Sequence, residues 1–304
     1  MINIEAFGKH FNGIMQERGN DVRFDRFESA SILHDGNKLH LDIIEVDPSA
    51  PTVIFVPGTA AYGLIYGDYL AALADNGMNV VSFDPRGHGR SEGLPGSYTI
   101  NEIISDARAV ASYARERFNG NLFMSGSSQG GIVAFYVAAT DEPLDGVICH
   151  NAADLMDSAN IDVTTSPKLV KAISGIVRGL AKLFPNAPIK MSTYLNLLSK
   201  GDSPAKQRML ANPYMSKVIR LRALASLSSS KMANPVEKIT TPVMLLHAGD
   251  DEIFPQKLSE NLYKKMTCEK HLEIFEGLGH FLFSEHISAV IPSIADWIKQ
   301  KSVV

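Results

Sequence analysis

Residues Gly126-Ser127-Ser128-Gln129-Gly130-Gly131 place Ser128 at the centre of a Gly-x-Ser-x-Gly pattern. A serine on a sharp strand-to-helix turn sits in a strained backbone with its hydroxyl exposed, and the residues two before and two after must be nearly free of side chain for the turn to close. Here those residues are Gly126 and Gly130. A hydroxyl is a weak nucleophile and needs a neighbouring base, usually an imidazole oriented by a carboxylate. The pattern alone is weak evidence, because a chain of this length yields a chance match about one time in ten. A second match does occur, at Gly89-Arg90-Ser91-Glu92-Gly93. Only the first follows a strand-like run and precedes a helix-like one, so Ser128 is the candidate nucleophile and Ser91 a loop serine.

The chain holds nine histidines, so a histidine somewhere carries no information. His280 differs because Gly277-Leu278-Gly279-His280 lies just past the last apolar strand-like run, on the same expected sheet edge as Ser128. The acid is expected after the run at 243–246, where Asp250 and Asp251 stand together. Asp154, after the run at 146–149, is an alternative acid from another strand end. His150 and His247 read as packing residues, His88 as structural, and Cys149 as a buried thiol with no glycine turn around it.

Such residues need a rigid frame. Short continuous apolar runs at 52–56, 80–83, 122–124, 146–149, 243–246 and 272–275 predict strands buried on both faces. Helical patterns lie between them, the clearest opening on the capping box Thr99-Ile100-Asn101-Glu102. A last helix is predicted at 288–301 with Trp297 in the core. Alternating strands and helices predict an α/β fold, a mostly parallel sheet with helices on both faces and ligands at the strands' carboxyl ends. Before it, a helix is expected at 4–18, then strands at 22–29 and 39–46 joined by a turn at Asp35-Gly36. The alternation breaks only at 155–234, a helical stretch without an evident strand, read as a cap over the strand ends. The expected organisation is an N-terminal helix (1–20), a core (21–154 and 235–304) and the cap (155–234).

The order Ser128, Asp251, His280 resembles that of the α/β-hydrolases, whose triad runs nucleophile, acid, histidine. The resemblance covers about residue 40 to the C-terminus, apart from the cap. It implies Asp251 over Asp250, since the family's acid commonly stands four residues before a proline such as Pro255. Val56-Pro57-Gly58-Thr59 resembles the family's oxyanion loop, with proline in place of its histidine. The resemblance implies that the backbone amides of Thr59 and Gln129 form the oxyanion hole. Phe83-Asp84-Pro85-Arg86-Gly87-His88-Gly89-Arg90-Ser91 resembles a structural loop of the serine aminopeptidase-like branch, which includes monoacylglycerol lipases and lysophospholipases.

These readings imply a serine hydrolase acting on carboxylic esters, with a monoacylglycerol- or lysophospholipid-like substrate. Its chemistry requires no metal and no organic cofactor. An aminopeptidase or a carbon–carbon bond hydrolase with the same triad is an alternative, as is a non-catalytic binding protein on this fold. The net charge of −4 argues against nucleic acid as a partner. No apolar run is long enough to span a bilayer, no secretory signal is visible, and two cysteines make no disulfide framework, so a cytoplasmic chain is expected. Charge is uneven: residues 155–235 hold twelve basic and three acidic residues, +9, leaving −13 elsewhere. Within the cap, Leu169, Ile173, Ile176, Val177, Leu180 and Leu183 share a helical stripe, with Lys171, Arg178 and Lys182 largely on another face. The stripe either packs on the body or meets an anionic membrane peripherally. The N-terminal helix covers the body, joins the cap or mediates self-association; the oligomeric state is not legible.

Overall fold

The computed structural model describes residues 2–157, 167–198 and 204–302. The chain opens with helix α1 (Ile4–Glu17), N-capped by the Asn3 side chain. Its apolar face buries Phe7, Phe11 and Met15. A hairpin follows, β1 (Glu28–His34) and β2 (Asn37–Ile44), turning at Asp35 and Gly36, both with positive φ. The first strand thus begins later than the run at 22–29 predicts. The apolar residue Phe24 is taken instead by α1: its ring packs edge-on against Phe7, its N–H donates to the Asn12 side chain, and residues Phe24–Arg26 turn as a 3-10 helix.

The alternating core then runs β3 (Thr52–Val56), α2 (Gly67–Asp75), β4 (Asn79–Phe83), α3 (Ile100–Arg117), β5 (Leu122–Ser127), α4 (Gln129–Ala138) and β6 (Gly146–His150). Between β6 and the next core strand come α5 (Pro167–Leu183), β7 (Pro188–Lys190), α6 (Met191–Leu198), α7 (Pro204–Ala211), β8 (Val218–Arg220) and α8 (Leu221–Ser226). The core resumes with β9 (Val243–Ala248), α9 (Gln256–Lys265), β10 (Lys270–Phe275), α10 (Leu282–Glu285) and α11 (Ile287–Ser302). The eight-stranded sheet has the order β1-β2-β4-β3-β5-β6-β9-β10. Its strands from β4 to β10 are parallel, and the hairpin joins them antiparallel through β2.

Burial follows from this topology. Every residue of β3, β4, β5, β6 and β9 is buried, as continuous apolar runs require when helices cover both faces. Helices α3 and α4 pack together against β3 and β5; α2 and α11 pack together as another layer. Helix α3 carries the predicted capping box, with Thr99 and Glu102 bonding each other's backbone. Trp297 is buried edge-on to Phe123. The segment between β6 and β9 departs from the expected all-helical pattern, since β7 and β8 pair antiparallel. Three residues per strand are too few to show an alternation.

The loop after β4 is structural. Asp84 accepts from the backbone of Gly63 and Arg90 (2.8 and 2.7 Å), and Arg86 Nε donates to buried Asp106 at 2.9 Å. Removing one partner of so buried a pair typically costs about 3–5 kcal/mol. His88, held neutral by burial, bonds the Arg86 carbonyl at 3.0 Å. The Ser91 hydroxyl donates to the Asp84 carbonyl and accepts from the His40 amide at 2.8 Å.

Candidate active site

Strand β5 ends at Ser127 and α4 begins at Gln129, so one residue makes the whole turn. That residue is Ser128, at φ 55° and ψ −119°. A side chain rarely tolerates a positive φ, and the surrounding packing must hold it there. A Cβ at Gly126 would meet the Gly130 carbonyl at 2.1 Å, and one at Gly130 would meet the Val56 carbonyl at 2.0 Å. The turn therefore closes only with glycine at both positions.

The carboxyl ends of β5, β9 and β10 bring three side chains into line. The Ser128 hydroxyl lies 3.1 Å from His280 Nε2, and His280 Nδ1 donates to Asp251 Oδ2 at 2.8 Å. Asp251 follows β9 and His280 follows β10, with side chains 1% and 10% exposed. The other Asp251 oxygen accepts from the amides of Ile253 and Phe254 at 2.9 and 2.8 Å. Burial opposes ionisation of this carboxyl. The His280 hydrogen bond and charge, with the two amides, outweigh it and hold the pKa at about 2.

Thr59 and Gln129 face each other beside this line, with Thr59 Oγ1 donating to Gln129 Oε1 at 3.1 Å. Tyr98 donates to the same oxygen at 2.9 Å. Among the described residues, neither the Thr59 nor the Gln129 amide donates to another backbone group. Gln129 opens α4, whose first N–H groups lack intrahelical partners and whose dipole favours negative charge.

A pocket of about 820 Å³, open mouth included, holds Ser128 and His280 in its wall. The body contributes Ala61, Ile65 and Tyr66; the segment between β6 and β9 contributes Tyr194, Leu195, Leu198, Met209 and Met215. Burial pushes the Tyr194 hydroxyl up to about 12, so it stays protonated. The wall is thus largely apolar, suited to a hydrocarbon chain.

The remaining sequence candidates stand apart. Asp250 is exposed and its backbone N–H caps the Leu278 carbonyl. Asp154 accepts from the Met156 amide in the turn after β6. His247 bonds Ser259 at 2.9 Å, and His150 is fully buried, 5.3 Å from the His280 ring between centroids. Burial, with His280 close by, holds His150 neutral. Burial also pushes the Cys149 thiol up, leaving it protonated. Donor atoms of His150, Asp251 and His280 lie within 4.8 Å of one another, but a metal there would have to displace the His280–Asp251 bond.

Sequence reasoning missed three residues. Asn151, at φ 63°, donates from Nδ2 to Asp251 Oδ2 at 3.2 Å. Tyr66 accepts from the Gly58 amide at 3.4 Å, bracing the loop that carries Thr59. Arg18, at the end of α1, reaches the pocket wall. The only available signal was position: Asn151 follows a strand end, and nothing local marks the other two.

The apolar stripe of α5 is a correction. Ile173, Ile176, Leu180 and Leu183 are 50%, 62%, 44% and 73% exposed, so these do not pack on the body. Arg178 instead donates to the Ser228 carbonyl and hydroxyl, and α5 rests on α8. The side chains of Leu169 and Lys171 lie outside the described residues. No helix among the described residues is long and apolar enough to cross a membrane.

A model of the Hydrolase_4 family, described as serine aminopeptidase, S33, matches residues 47–287. A monoacylglycerol lipase of Mycolicibacterium smegmatis is 26% identical over 263 residues, covering 84% of this chain and 89% of the relative. An uncharacterized abhydrolase domain-containing protein of Dictyostelium discoideum is 26% identical over 268 residues; the match takes in 84% of this chain but only 27% of that longer protein. Among solved structures, the Paleococcus ferrophilus monoacylglycerol lipase aligns with a TM-score of 0.69 at 23% identity, over 87% of this chain and 99% of its own. A soluble variant of the Saccharomyces cerevisiae monoglyceride lipase, in complex with a substrate analog, aligns at 0.74 and 19% identity, over 91% and 96%. Both structural likenesses concern the fold.

Proposed function

Because the chain belongs to the Hydrolase_4 family, serine aminopeptidase S33, we propose that it is a serine hydrolase that cleaves monoacyl, lipid-like carboxylic esters through an acyl-enzyme. The observation that carries this reading is the unbroken line Ser128–His280–Asp251 at the wall of an apolar pocket. In it, His280 Nε2 takes the Ser128 proton as the hydroxyl oxygen attacks the ester carbonyl. The Thr59 and Gln129 amides receive the oxyanion; losing one such donor typically costs about 2.7–4 kcal/mol of barrier. As the intermediate collapses, His280 protonates the leaving alcohol. Water then gives a proton to His280 and attacks the acyl carbon, and the carboxylic acid leaves with Ser128 restored. Asp251 fixes the histidine tautomer and stabilises the imidazolium throughout.

The monoacyl substrate draws on the pocket's apolar wall and on the monoacylglycerol lipases among the relatives. Residues 155–234 serve as the cap in this reading, on a core of 21–154 and 235–304. Hydrolysis rates for p-nitrophenyl esters from two to sixteen carbons test it. A maximum at eight carbons or more supports it, and activity limited to acetyl and butyryl esters contradicts the lipid-like substrate.

A second reading concerns where the cap works. We propose that the exposed stripe of α5, with exposed Phe184 and Leu197, dips into a lipid surface while basic residues face anionic head groups. Co-sedimentation with anionic vesicles at low salt should exceed that with neutral ones and fall in an Ile176→Ser, Leu183→Ser double variant. Equal sedimentation with both vesicle types contradicts it.

A further inference from the structure

The wall of the catalytic pocket is largely apolar. Among the described residues its wall holds two guanidinium groups, Arg18 and Arg208, and no carboxylate. Each arginine has an acidic partner: Arg18 Nη1 bonds Asp68 Oδ1 at 3.1 Å, and Arg208 pairs with Glu285. Asp68 and Glu285, however, line a neighbouring groove, together with Asp75 and Arg18 itself. Ser284 and Arg18 border both cavities, and Glu285 lines the same groove as Asp68. Both bases therefore reach the catalytic pocket while neither acid lines it, and Arg18 spans the two cavities.

Arg18 is also pre-set. Its Nη1 donates to the Ile65 carbonyl at 3.0 Å, which with Asp68 fixes the side chain. Its Nε is buried and has no hydrogen-bond partner among the described residues. A guanidinium fixed in this way loses little freedom on binding, and its planar fork matches a carboxylate or phosphate.

We infer that Arg18 and Arg208 form an anion-recognising end of the pocket, so that the preferred ester carries a phosphate or carboxylate group. This deepens the hydrolase reading and rests on it. It also gives the N-terminal helix a role in substrate choice, since α1 ends on Arg18.

Two matched pairs of esters test the inference and locate the anion. On the acyl side, p-nitrophenyl octanoate is compared with the mono-p-nitrophenyl ester of octanedioic acid. On the alcohol side, 1-octanoylglycerol is compared with its 3-phosphate. The wild type should favour the anionic member of one pair by about tenfold or more in kcat/KM, and that pair identifies the source of the charge. Arg208→Gln, whose side chain is 45% exposed and so tolerates change, should cut the preference by about fivefold. Arg18→Gln should cut it further, provided circular dichroism shows a folded protein. A ratio at or below one in both pairs overturns the inference, as does a preference that survives both substitutions. If the wild type hydrolyses none of the four esters, the hydrolase reading falls instead. The anion end is then tested by calorimetry with octyl phosphate against octyl glycerol ether. Tighter binding of the phosphate, lost in Arg208→Gln, supports it; equal binding overturns it.

Discussion

Two serines in this molecule sit at the centre of the same five-residue pattern, and the structure uses them in opposite ways. Ser91 lies in a loop after β4, where its oxygen is fully engaged between the Asp84 carbonyl and the His40 amide. Ser128 lies between β5 and α4 at φ 55°, with its hydroxyl 3.1 Å from an imidazole. Glycines at either end are common to both. The difference lies in what the glycines permit: at Ser128 they let a strand turn into a helix within one residue, at Ser91 they let a loop fold back on itself. One hydroxyl is left to a base, the other ties backbone segments together.

This contrast predicts opposite results for one substitution. Ser128→Ala should lower kcat for a p-nitrophenyl ester by about 10⁴-fold or more, with little change in the urea unfolding midpoint. Ser91→Ala should leave kcat/KM within about twofold while losing roughly 1–2 kcal/mol of stability, since it removes two part-buried hydrogen bonds. Equal kinetic losses in the two variants would erase the distinction.

A smaller but sharper effect belongs to the acid. Asp251→Asn should lower kcat about 10³- to 10⁴-fold by favouring the wrong histidine tautomer. It should also change the pH dependence of stability. The folded pKa of about 2 lies below the ordinary value of 3.8, so this group's contribution is present above about pH 4 and lost as pH falls through 2. The stability gap between wild type and variant should therefore shrink by about 2 kcal/mol between pH 5 and pH 2, read from urea unfolding at each pH. Asn151→Gly follows. Glycine accepts the φ of 63°, so the variant removes the bond to Asp251 and the longer contact to His247 Nδ1 at 3.4 Å without straining the backbone. Its kcat/KM should fall roughly five- to thirty-fold.

How much of this was legible in the sequence depended on whether the signal was local. Five of the six parallel strands were legible because burial on both faces leaves an unbroken apolar run. The last strand of the sheet, β10, has no fully buried residue, so the two-sided burial expected at 272–275 does not hold. The meeting of Ser128, Asp251 and His280 was legible because each follows such a run, and a parallel sheet aligns those ends. Strands β7 and β8 were not, being three residues each. The α5 stripe announced an apolar face but not what lies against it, and among its described residues Ile176 and Leu183 face solvent. Asn151 and Arg18 were beyond reach for a further reason. Their neighbours Asp251 and Asp68 lie 100 and 50 residues away, and no spacing rule joins such positions.

The most direct test of the central claim is to treat the folded protein with a fluorophosphonate and map the adduct by mass spectrometry. The proposed mechanism predicts one adduct, on Ser128, formed far more slowly in His280→Ala, with Ser91 unmodified. An adduct on Ser91, labelling of Ser128 that ignores the loss of His280, or no adduct at all would contradict it.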